Sequence, residues 1–448
     1  MYVSARGQVE FPPGYNPPTT NPTTNSEDSE RPAKRQKKSR VMAERADLDA
    51  HSKAPDSVKI WYKRWQRMEV ATLATRFDVI DCEGSPEGNG FPRHMVTEVL
   101  GEEKLEGAGR VFKEFMGDDE ELDEALKPPR CFEVKALPGL LIYPSILPEA
   151  VQLRLLNKLL HRDLSNPQHQ TNVHLHYNVP YAAPQAHTEG QNLSFFDRDA
   201  QSLPMHNGFG RCWNLADISF HSKPKAAHAA LDVPKMLDKK LRWMTLGGQY
   251  DWTSKTYPSG PPPPFPQDVK DLVEGLFPMK AEAAIVNLYS PGDTLSAHRD
   301  VSEACAQPLV SISLGCEAIF IAAIEDEAAD PAVSVGGRGG QGKLRSAVLR
   351  LRSGDAVVMR GEARYAWHGV PRVKAGSCPA FMKEWPAVGG DGEGGRYEGY
   401  KGWMGGKRVN LNVRQMFAEA EEEEVGGAKG TVSGAEMRGD VIGASVGS

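Results

Sequence analysis

The chain has 448 residues, 40% of them hydrophobic and 25% charged, enough apolar material for one sizeable domain with appendages rather than three small ones. No run of about 18 apolar residues occurs, which argues against a membrane span, and the N-terminus, with Arg6, Glu10 and several prolines, lacks the apolar segment of a secretory signal. The formal net charge of −6 speaks against indiscriminate nucleic-acid binding, although local charge matters more than the sum. The six cysteines (Cys82, Cys131, Cys212, Cys305, Cys316 and Cys378) show no C-x-x-C spacing. Free thiols in a reducing, intracellular setting are therefore expected, not a disulfide set or a zinc site.

Residues 1–58 are rich in Pro, Thr, Asn, Ser and charge, a composition that predicts disorder. Within them Lys34-Arg35-Gln36-Lys37-Lys38-Ser39-Arg40 reads as a nuclear-import signal, a nucleic-acid-binding arm or a solvated tail. Residues 59–130 predict a mostly helical extension. It opens on Lys59-Ile60-Trp61-Tyr62-Lys63-Arg64-Trp65, either a nucleic-acid-facing helix or one that docks its aromatics on the main domain. A second helix is expected near 110–116, strands from Phe132 through Gly139-Leu140-Leu141-Ile142-Tyr143, and a helix opened by Pro148 with Val151, Leu155, Leu156, Leu159 and Leu160 at helical spacing.

Residues 165–234 lack steady periodicity and predict a loop-rich insertion; their histidines (His169, His174, His176, His187) have no acidic or Cys partners at ligand spacing. Lys223, Lys225, Lys235, Lys239, Lys240 and Arg242 then precede Trp243, either as a solvated face or as phosphate contacts. From Lys280 to Phe417 strand follows strand. Leu309 to Gly315 alternates, Ala318 to Ile321 continues as a buried run, 335–342 is Gly-rich, and Leu349 to Met359 reads as a hairpin about Ser353-Gly354-Asp355. Short strands so close together suggest an antiparallel sandwich or barrel. Residues 419–448, acidic and then Gly-rich, should be disordered.

The chemistry concentrates on Asn287-Leu288-Tyr289-Ser290-Pro291-Gly292 and the His298-Arg299-Asp300 that follows: a strand, a turn and a His-x-Asp pair. Extended residues two apart project to one side. With one distant His, such a pair makes the 2-His-1-carboxylate arrangement that holds non-heme Fe(II) and leaves positions open. His368, in Trp367-His368-Gly369-Val370, is the candidate, placed better than His161, His221 or His228. The last strand, Arg408-Val409-Asn410-Leu411-Asn412-Val413-Arg414, puts its apolar residues on one face and both arginines on the other, and guanidinium groups suit a small dicarboxylate gripped at its ends.

These residues resemble the AlkB family of Fe(II)/2-oxoglutarate dioxygenases over roughly residues 130–418. The resemblance is carried by His298-x-Asp300, His368, the Arg408, Asn410 and Arg414 strand, Asn287-x-Tyr289-x-Pro291-Gly292, Ser311-Ile312-Ser313-Leu314-Gly315 and Gly354-Asp355. Leu241-Arg242-Trp243-Met244-Thr245-Leu246-Gly247, Tyr250-Asp251-Trp252, Lys255-x-Tyr257 and Val370-Pro371-Arg372-Val373 bring it nearest to the eukaryotic AlkB homologue 1 branch.

The resemblance implies an α+β chain with a double-stranded β-helix (jelly-roll) core, the family domain covering 131–418 and its core 280–418. It further implies iron held by His298, Asp300 and His368, which are then the catalytic residues. One carboxylate of 2-oxoglutarate would lie on Arg408, helped by Tyr289 and Asn410, and Arg414 and Asn287 would stand near the end that meets the metal. Fe(II), 2-oxoglutarate and O2 would oxidise an N-methyl group, releasing succinate, CO2 and formaldehyde. Trp243 and Tyr250 match the positions that hold a flipped base. Expected partners are tRNA, with 1-methyladenosine the leading substrate, and single-stranded or unpaired methylated DNA next. A non-catalytic nucleic-acid or chromatin module and a protein substrate such as a histone are the competing readings. A monomer in nucleus or cytoplasm is expected, with a mitochondrial destination left open. The chain departs from bacterial members after Ile321 and in the long insertion at 375–407, so a substrate does not carry over directly.

Overall fold

The computed structural model describes residues 48–69, 78–82, 96–99, 107–117, 129–179, 181, 193–197, 203–204, 212–213, 219–222, 231–258, 260–326, 344–390 and 395–417. The expectations for 1–47, for the Gly-rich loop at 335–342, for His187, Lys223 and Lys225, and for the tail from 418 lie outside the described residues. The five cysteines whose side chains are described are free, as expected. Among the described residues no helix is long and apolar enough to cross a membrane.

Two antiparallel sheets form the frame. The larger contains β1 (Val96–Val99), β2 (Cys131–Val134), β3 (Leu140–Tyr143), β4 (Trp243–Gly247), β5 (Ala283–Tyr289), β7 (Leu309–Gly315), β10 (Ala356–Met359) and β12 (Arg408–Arg414). Its order is β1-β2-β3-β10-β7-β12-β5-β4. The smaller contains β6 (Leu295–His298), β8 (Ala318–Glu325), β9 (Leu344–Leu351) and β11 (Trp367–Val373), in the order β6-β11-β8-β9.

Period-two alternation sorts the side chains into layers. Val409, Leu411 and Val413 of β12 join the core beneath three helices, α2 (Ala108–Met116), α3 (Glu149–Asn157) and α4 (Gln267–Leu276). Phe320 and Ala322 of β8 face the space between the sheets with Tyr289, Val357 and Met359. Ile319, Ile321 and Ala323 face outward and are covered by the N-terminal helix α1 (Asp56–Arg67).

Helix α1 follows Pro55 and has Asp56 in its first turn, where a carboxylate complements the helix dipole. Val58, Trp61, Tyr62 and Trp65 fall at i, i+3, i+4 and i+7 and are buried, the stripe of an amphipathic helix. With about 200 Å2 per indole at about 25 cal/mol per Å2, Trp61 and Trp65 each contribute at most about 5 kcal/mol. The docking alternative for this aromatic stretch is thus realised, and the helix starts a little before the predicted onset of order at Lys59.

One expectation is corrected. Residues 349–359 are not a hairpin: β9 pairs with β8 in the small sheet, whereas β10 pairs with β7 and β3 in the large one. The turn between them is a corner connecting the sheets. Gly354 sits there at φ 87°, and a Cβ would lie 2.5 Å from the Gln152 side chain. Asp355 holds the corner by accepting from the Ser145 and Arg352 amides at 2.8 and 2.7 Å.

The insertion at 375–407 docks as an aromatic cluster. Trp385, Tyr397, Tyr400 and Trp403 pack about Phe196 and His161. His161 stacks on Tyr397 with centroids 4.4 Å apart, and burial, helped by the Arg396 charge, lowers its pKa from 6.5 to about 3. An unfolded chain takes up a proton below 6.5 that the folded chain refuses. The stability associated with neutral His161 is therefore complete above that pH and is lost as pH falls toward about 3. Thermal melts of His161→Phe across this window should show a shallower acid limb than those of the unsubstituted protein.

Candidate active site

Strand β5 leads through the Pro291-Gly292 turn into β6. The turn is fixed by Asp293, which accepts from the Ser290 amide and from Arg242, each at 2.7 Å. Arg242 of the predicted basic patch is thus committed to structure. Strand β6 pairs with β11 so that His298 lies directly opposite His368. Close approach is needed beside this pair: a Cβ on Gly369 would lie 2.7 Å from the Leu295 carbonyl oxygen.

His298, Asp300 and His368 each offer a ligand atom, and these atoms lie within 4.8 Å of one another. Asp300 Oδ1 is 3.6 Å from His298 Nε2, and Oδ2 is 3.9 Å from His368 Nε2. The two rings, tilted by 49° to one another, make the same kind of backbone contact. His298 Nδ1 faces the Ser296 carbonyl at 2.9 Å, and His368 Nδ1 faces that of Ala366 at 3.0 Å. A carbonyl only accepts, so each Nδ1 carries the proton and each Nε2 presents a lone pair to the centre. Burial and the neighbouring His298 hold the His368 pKa down at about 4, which keeps its ring neutral for ligation.

Asp300 is buried, which would raise its pKa, but Arg414, His298, His368 and Arg364 together pull it well below the usual carboxylate range. Arg414 Nη2 donates to Asp300 Oδ2 at 2.7 Å, and its Nε pairs with Glu303 at 3.1 Å. Arg364 donates to the other Glu303 oxygen at 3.0 Å, to the Asp300 carbonyl at 2.7 Å and to the Gln307 carbonyl at 2.8 Å. Two guanidinium groups and two carboxylates thus form one buried, neutral network behind the candidate metal position. Glu303 and Arg364 escaped the sequence reading. The nearest clue, an acidic residue three places past Asp300, is too common to single out.

On the far side of a cavity of about 820 Å3 lies Arg408, opposite Tyr289 in the strand register and 1% exposed. Its Nη2 donates to Ser313 Oγ at 2.8 Å. Arg408 Nε and Nη1 and the Tyr289 hydroxyl are buried without a hydrogen-bond partner. Each such orphan costs about 1–3 kcal/mol, so the pocket asks for an anionic acceptor, and a carboxylate fits. Asn410 directs its amide nitrogen to Ser311 Oγ and the Ile312 carbonyl at 2.8 and 2.9 Å, tying β12 to β7. Asn287 and Asn410 are register partners and both border the cavity.

Tyr250, Trp252 and Tyr257 border the mouth. Tyr250 meets Trp252 edge-on at 4.9 Å and Tyr257 at 5.3 Å. Trp243 is not among the residues bordering the cavity; its ring lies against Trp252, centroids 5.0 Å apart. Trp252, absent from the expected pair, borders the cavity beside Tyr250.

Comparison with known proteins agrees with this frame. Residues 211–414 match the family described as 2OG-Fe(II) oxygenase superfamily, whose jelly-roll type of antiparallel fold the two sheets share. The chain is 41% identical over 377 residues to the N6-methyladenosine RNA demethylase ALKB1 of Pyricularia oryzae, covering 83% of this chain and 98% of that one. It is 46% identical over 245 residues to the N6-methyladenosine RNA demethylase ALKBH of Cryphonectria parasitica, covering 54% and 99%. With the tRNA demethylase abh1 of Schizosaccharomyces pombe it shares 36% identity over 301 residues, covering 64% and 82%. The chain belongs to the AlkB homologue 1 branch of the 2OG-Fe(II) oxygenases. As an oxygenase of this family it uses Fe(II), 2-oxoglutarate and O2.

Proposed function

We propose that the protein removes methyl groups from nucleic-acid bases, with N-methylated adenine in RNA as the principal substrate, tRNA its leading carrier and methylated DNA next. The observation that carries the reading is one cavity with the His298, Asp300 and His368 group on one wall, the orphaned donors of Arg408 and Tyr289 on the other, and an aromatic mouth above both. Two relatives' names set N6-methyladenosine beside the 1-methyladenosine expected from sequence, and a third names tRNA.

In this reading the catalytic core is a double-stranded β-helix within residues 131–418, and the protein acts as a monomer in nucleus or cytoplasm. His298, Asp300 and His368 hold Fe(II). Arg408, with the Tyr289 hydroxyl, grips the distal carboxylate of 2-oxoglutarate, and Asn410 keeps that wall in register. Arg414 and Asn287 stand at the metal-facing end, with Glu303 and Arg364 fixing Arg414. When bound, iron, 2-oxoglutarate and O2 supply oxidation of a methyl C–H bond coupled to conversion of 2-oxoglutarate to succinate and CO2. The hydroxymethyl group left on nitrogen departs as formaldehyde. Tyr250 and Trp252 hold the unstacked base, and Trp243 braces Trp252.

Stacking on an aromatic is worth about 1–3 kcal/mol per base. Trp252→Ala and Tyr250→Ala should therefore each lower kcat/KM for a methylated oligonucleotide by about 5- to 150-fold, with the KM for 2-oxoglutarate little changed. The substrate class is tested by assaying methylated RNA, methylated DNA and methylated histone peptides side by side, with methyl loss followed by mass. Loss from the peptide alone, or from none of the three, sinks the proposal.

A further inference from the structure

A second cluster of reactive groups lies away from the active-site cavity, where the insertion at 375–407 leaves the small sheet. Strands β8 and β11 pair up to Ala318 and Val373, so the residues before the one and after the other meet at one end of the sheet. They are tied there. The Lys374 amide donates to the Glu317 carbonyl at 2.8 Å, and the Glu317 amide donates to Ser377 Oγ at 2.9 Å. Ser377 Oγ in turn donates to the Lys374 carbonyl at 2.7 Å, and Lys374 Nζ meets the Glu317 carboxylate at 3.2 Å. Cys316 and Cys378 flank these bonds, and their side chains are hydrogen-bonded to each other. Cys316 is 1% exposed, whereas Cys378 is half-buried.

The two sulfurs differ in kind. The Cys378 thiol donates to Cys316, which also faces the Ser377 amide and hydroxyl and the Cys378 amide. The bond from Cys378, opposed by burial and helped by the other donors, brings the Cys316 pKa from 9.0 down to about 7. The Cys378 thiol is pushed up by the bond it donates and by burial. Amides and a hydroxyl converging on one sulfur favour its thiolate, which is the nucleophilic form. Burial instead raises the thiols of Cys82 and Cys305. The Cys316 backbone is held from the other side as well, its amide donating to the Lys407 carbonyl at 2.8 Å.

We propose that Cys316 and Cys378 form a dithiol site for oxidation by hydrogen peroxide, closing to an intramolecular disulfide. Cys316 is the attacking sulfur and Cys378 the resolving one. The Cys316 thiolate attacks one peroxide oxygen, the O–O bond breaks, hydroxide leaves, and the sulfur becomes a sulfenic acid. That hydroxide takes the Cys378 proton. The Cys378 sulfur then attacks the sulfenic sulfur, forming the S–S bond and expelling a second hydroxide, which the proton first released by Cys316 converts to water. Two thiols give up two electrons in all, and peroxide is reduced to two waters. Burial of Cys316 selects a small oxidant, and peroxide is little larger than water. The disulfide closes a loop of about 60 residues. It staples the insertion to the end of β7, where Gly315 lies opposite Arg408 in the strand register.

The test treats the full chain with a small excess of hydrogen peroxide, a chelator being present to keep iron from the oxidant. The protein is then alkylated and its peptides are mapped by mass spectrometry without reduction. The expected product is a cross-linked pair of peptides holding Cys316 and Cys378, lighter than their sum by two hydrogens and released by a dithiol reductant. The oxidised protein should melt higher by about 2 °C or more, because the cross-link restricts the unfolded chain. Cys378→Ser should stop at the sulfenic acid, trapped on Cys316 by a dione probe, whereas Cys316→Ser should give neither trapped nor cross-linked product. If a Ser variant does not fold, the corresponding Ala variant serves, and the wild-type peptide map decides the cross-link without either. Wild-type protein whose Cys316 and Cys378 stay open to alkylation after peroxide, or whose Cys316 runs on to the sulfinic acid without a cross-link, overturns the proposal. Trapping on Cys378 in Cys316→Ser overturns the assignment of the attacking sulfur.

Discussion

Asp300→Ala should reduce Fe(II)-dependent succinate formation to background and should also destabilise the protein. The carboxylate faces both histidine Nε2 atoms and accepts from Arg414 at 2.7 Å, so its removal strips the three-residue group of its carboxylate ligand. The network of Arg364, Arg414, Glu303 and Asp300 is neutral and buried, and truncating Asp300 leaves it with one uncompensated positive charge. Breaking a buried pair in this way costs about 3–5 kcal/mol. Loss of activity must therefore be read beside a melting curve. Asp300→Asn preserves shape and should fail equally in activity, because an amide brings no charge to the metal. Full metal-dependent turnover in either variant removes Asp300 from the centre.

Replacement of Arg408 should act with opposite signs on binding and on stability. Without a bound acid, Arg408 is a buried guanidinium whose Nε and Nη1 have no partner, and burial lowers its pKa; both mark a cation waiting for an anion. Arg408→Met removes the orphaned donors and keeps apolar volume over the Tyr289 ring, and apolar replacement of a poorly compensated buried charge is often stabilising by about 1–4 kcal/mol. The melting temperature without 2-oxoglutarate should hold or rise. Added 2-oxoglutarate should raise the melting temperature of the unsubstituted protein and leave that of Arg408→Met unmoved. In turnover the 2-oxoglutarate requirement should rise by about 10- to 150-fold, the loss of a charge-assisted pair worth about 1.5–3 kcal/mol, while the Fe(II) requirement changes little. A 2-oxoglutarate-dependent shift surviving in Arg408→Met contradicts the assignment.

What the sequence disclosed follows from periodicity. Alternation in β12 places both arginines on the inter-sheet face, and the strand, turn and His-x-Asp run becomes β5, the Pro291-Gly292 turn and β6. Alternation reports a face, however, and not a partner. Residues 349–351 and 356–359 alternate as a hairpin would, yet they belong to different sheets, a difference set by the corner at Gly354 and Asp355. Glu303 and Arg364 stayed hidden for a related reason: each is defined by contacts with residues distant in sequence, Arg364 with Asp300 and Glu303, and Glu303 with Arg414. The aromatic mouth was legible in kind but not in detail. Trp243 begins β4 and Trp252 follows in the next loop, and only the packing of one ring on the other shows which meets the cavity. The basic and aromatic mixture in α1 left docking and nucleic-acid contact open, and the burial of Val58, Trp61, Tyr62 and Trp65 shows the docking.

Counting products on a defined substrate tests the central claim most directly. An RNA oligonucleotide with one N-methyladenine is incubated in air with the protein, Fe(II) and 2-oxoglutarate, and the base, succinate and formaldehyde are quantified by mass. The account predicts one succinate and one formaldehyde for each methyl group removed, all three lost in Asp300→Ala. A methyl group that stays on the base while succinate accumulates equally with and without the RNA would contradict it.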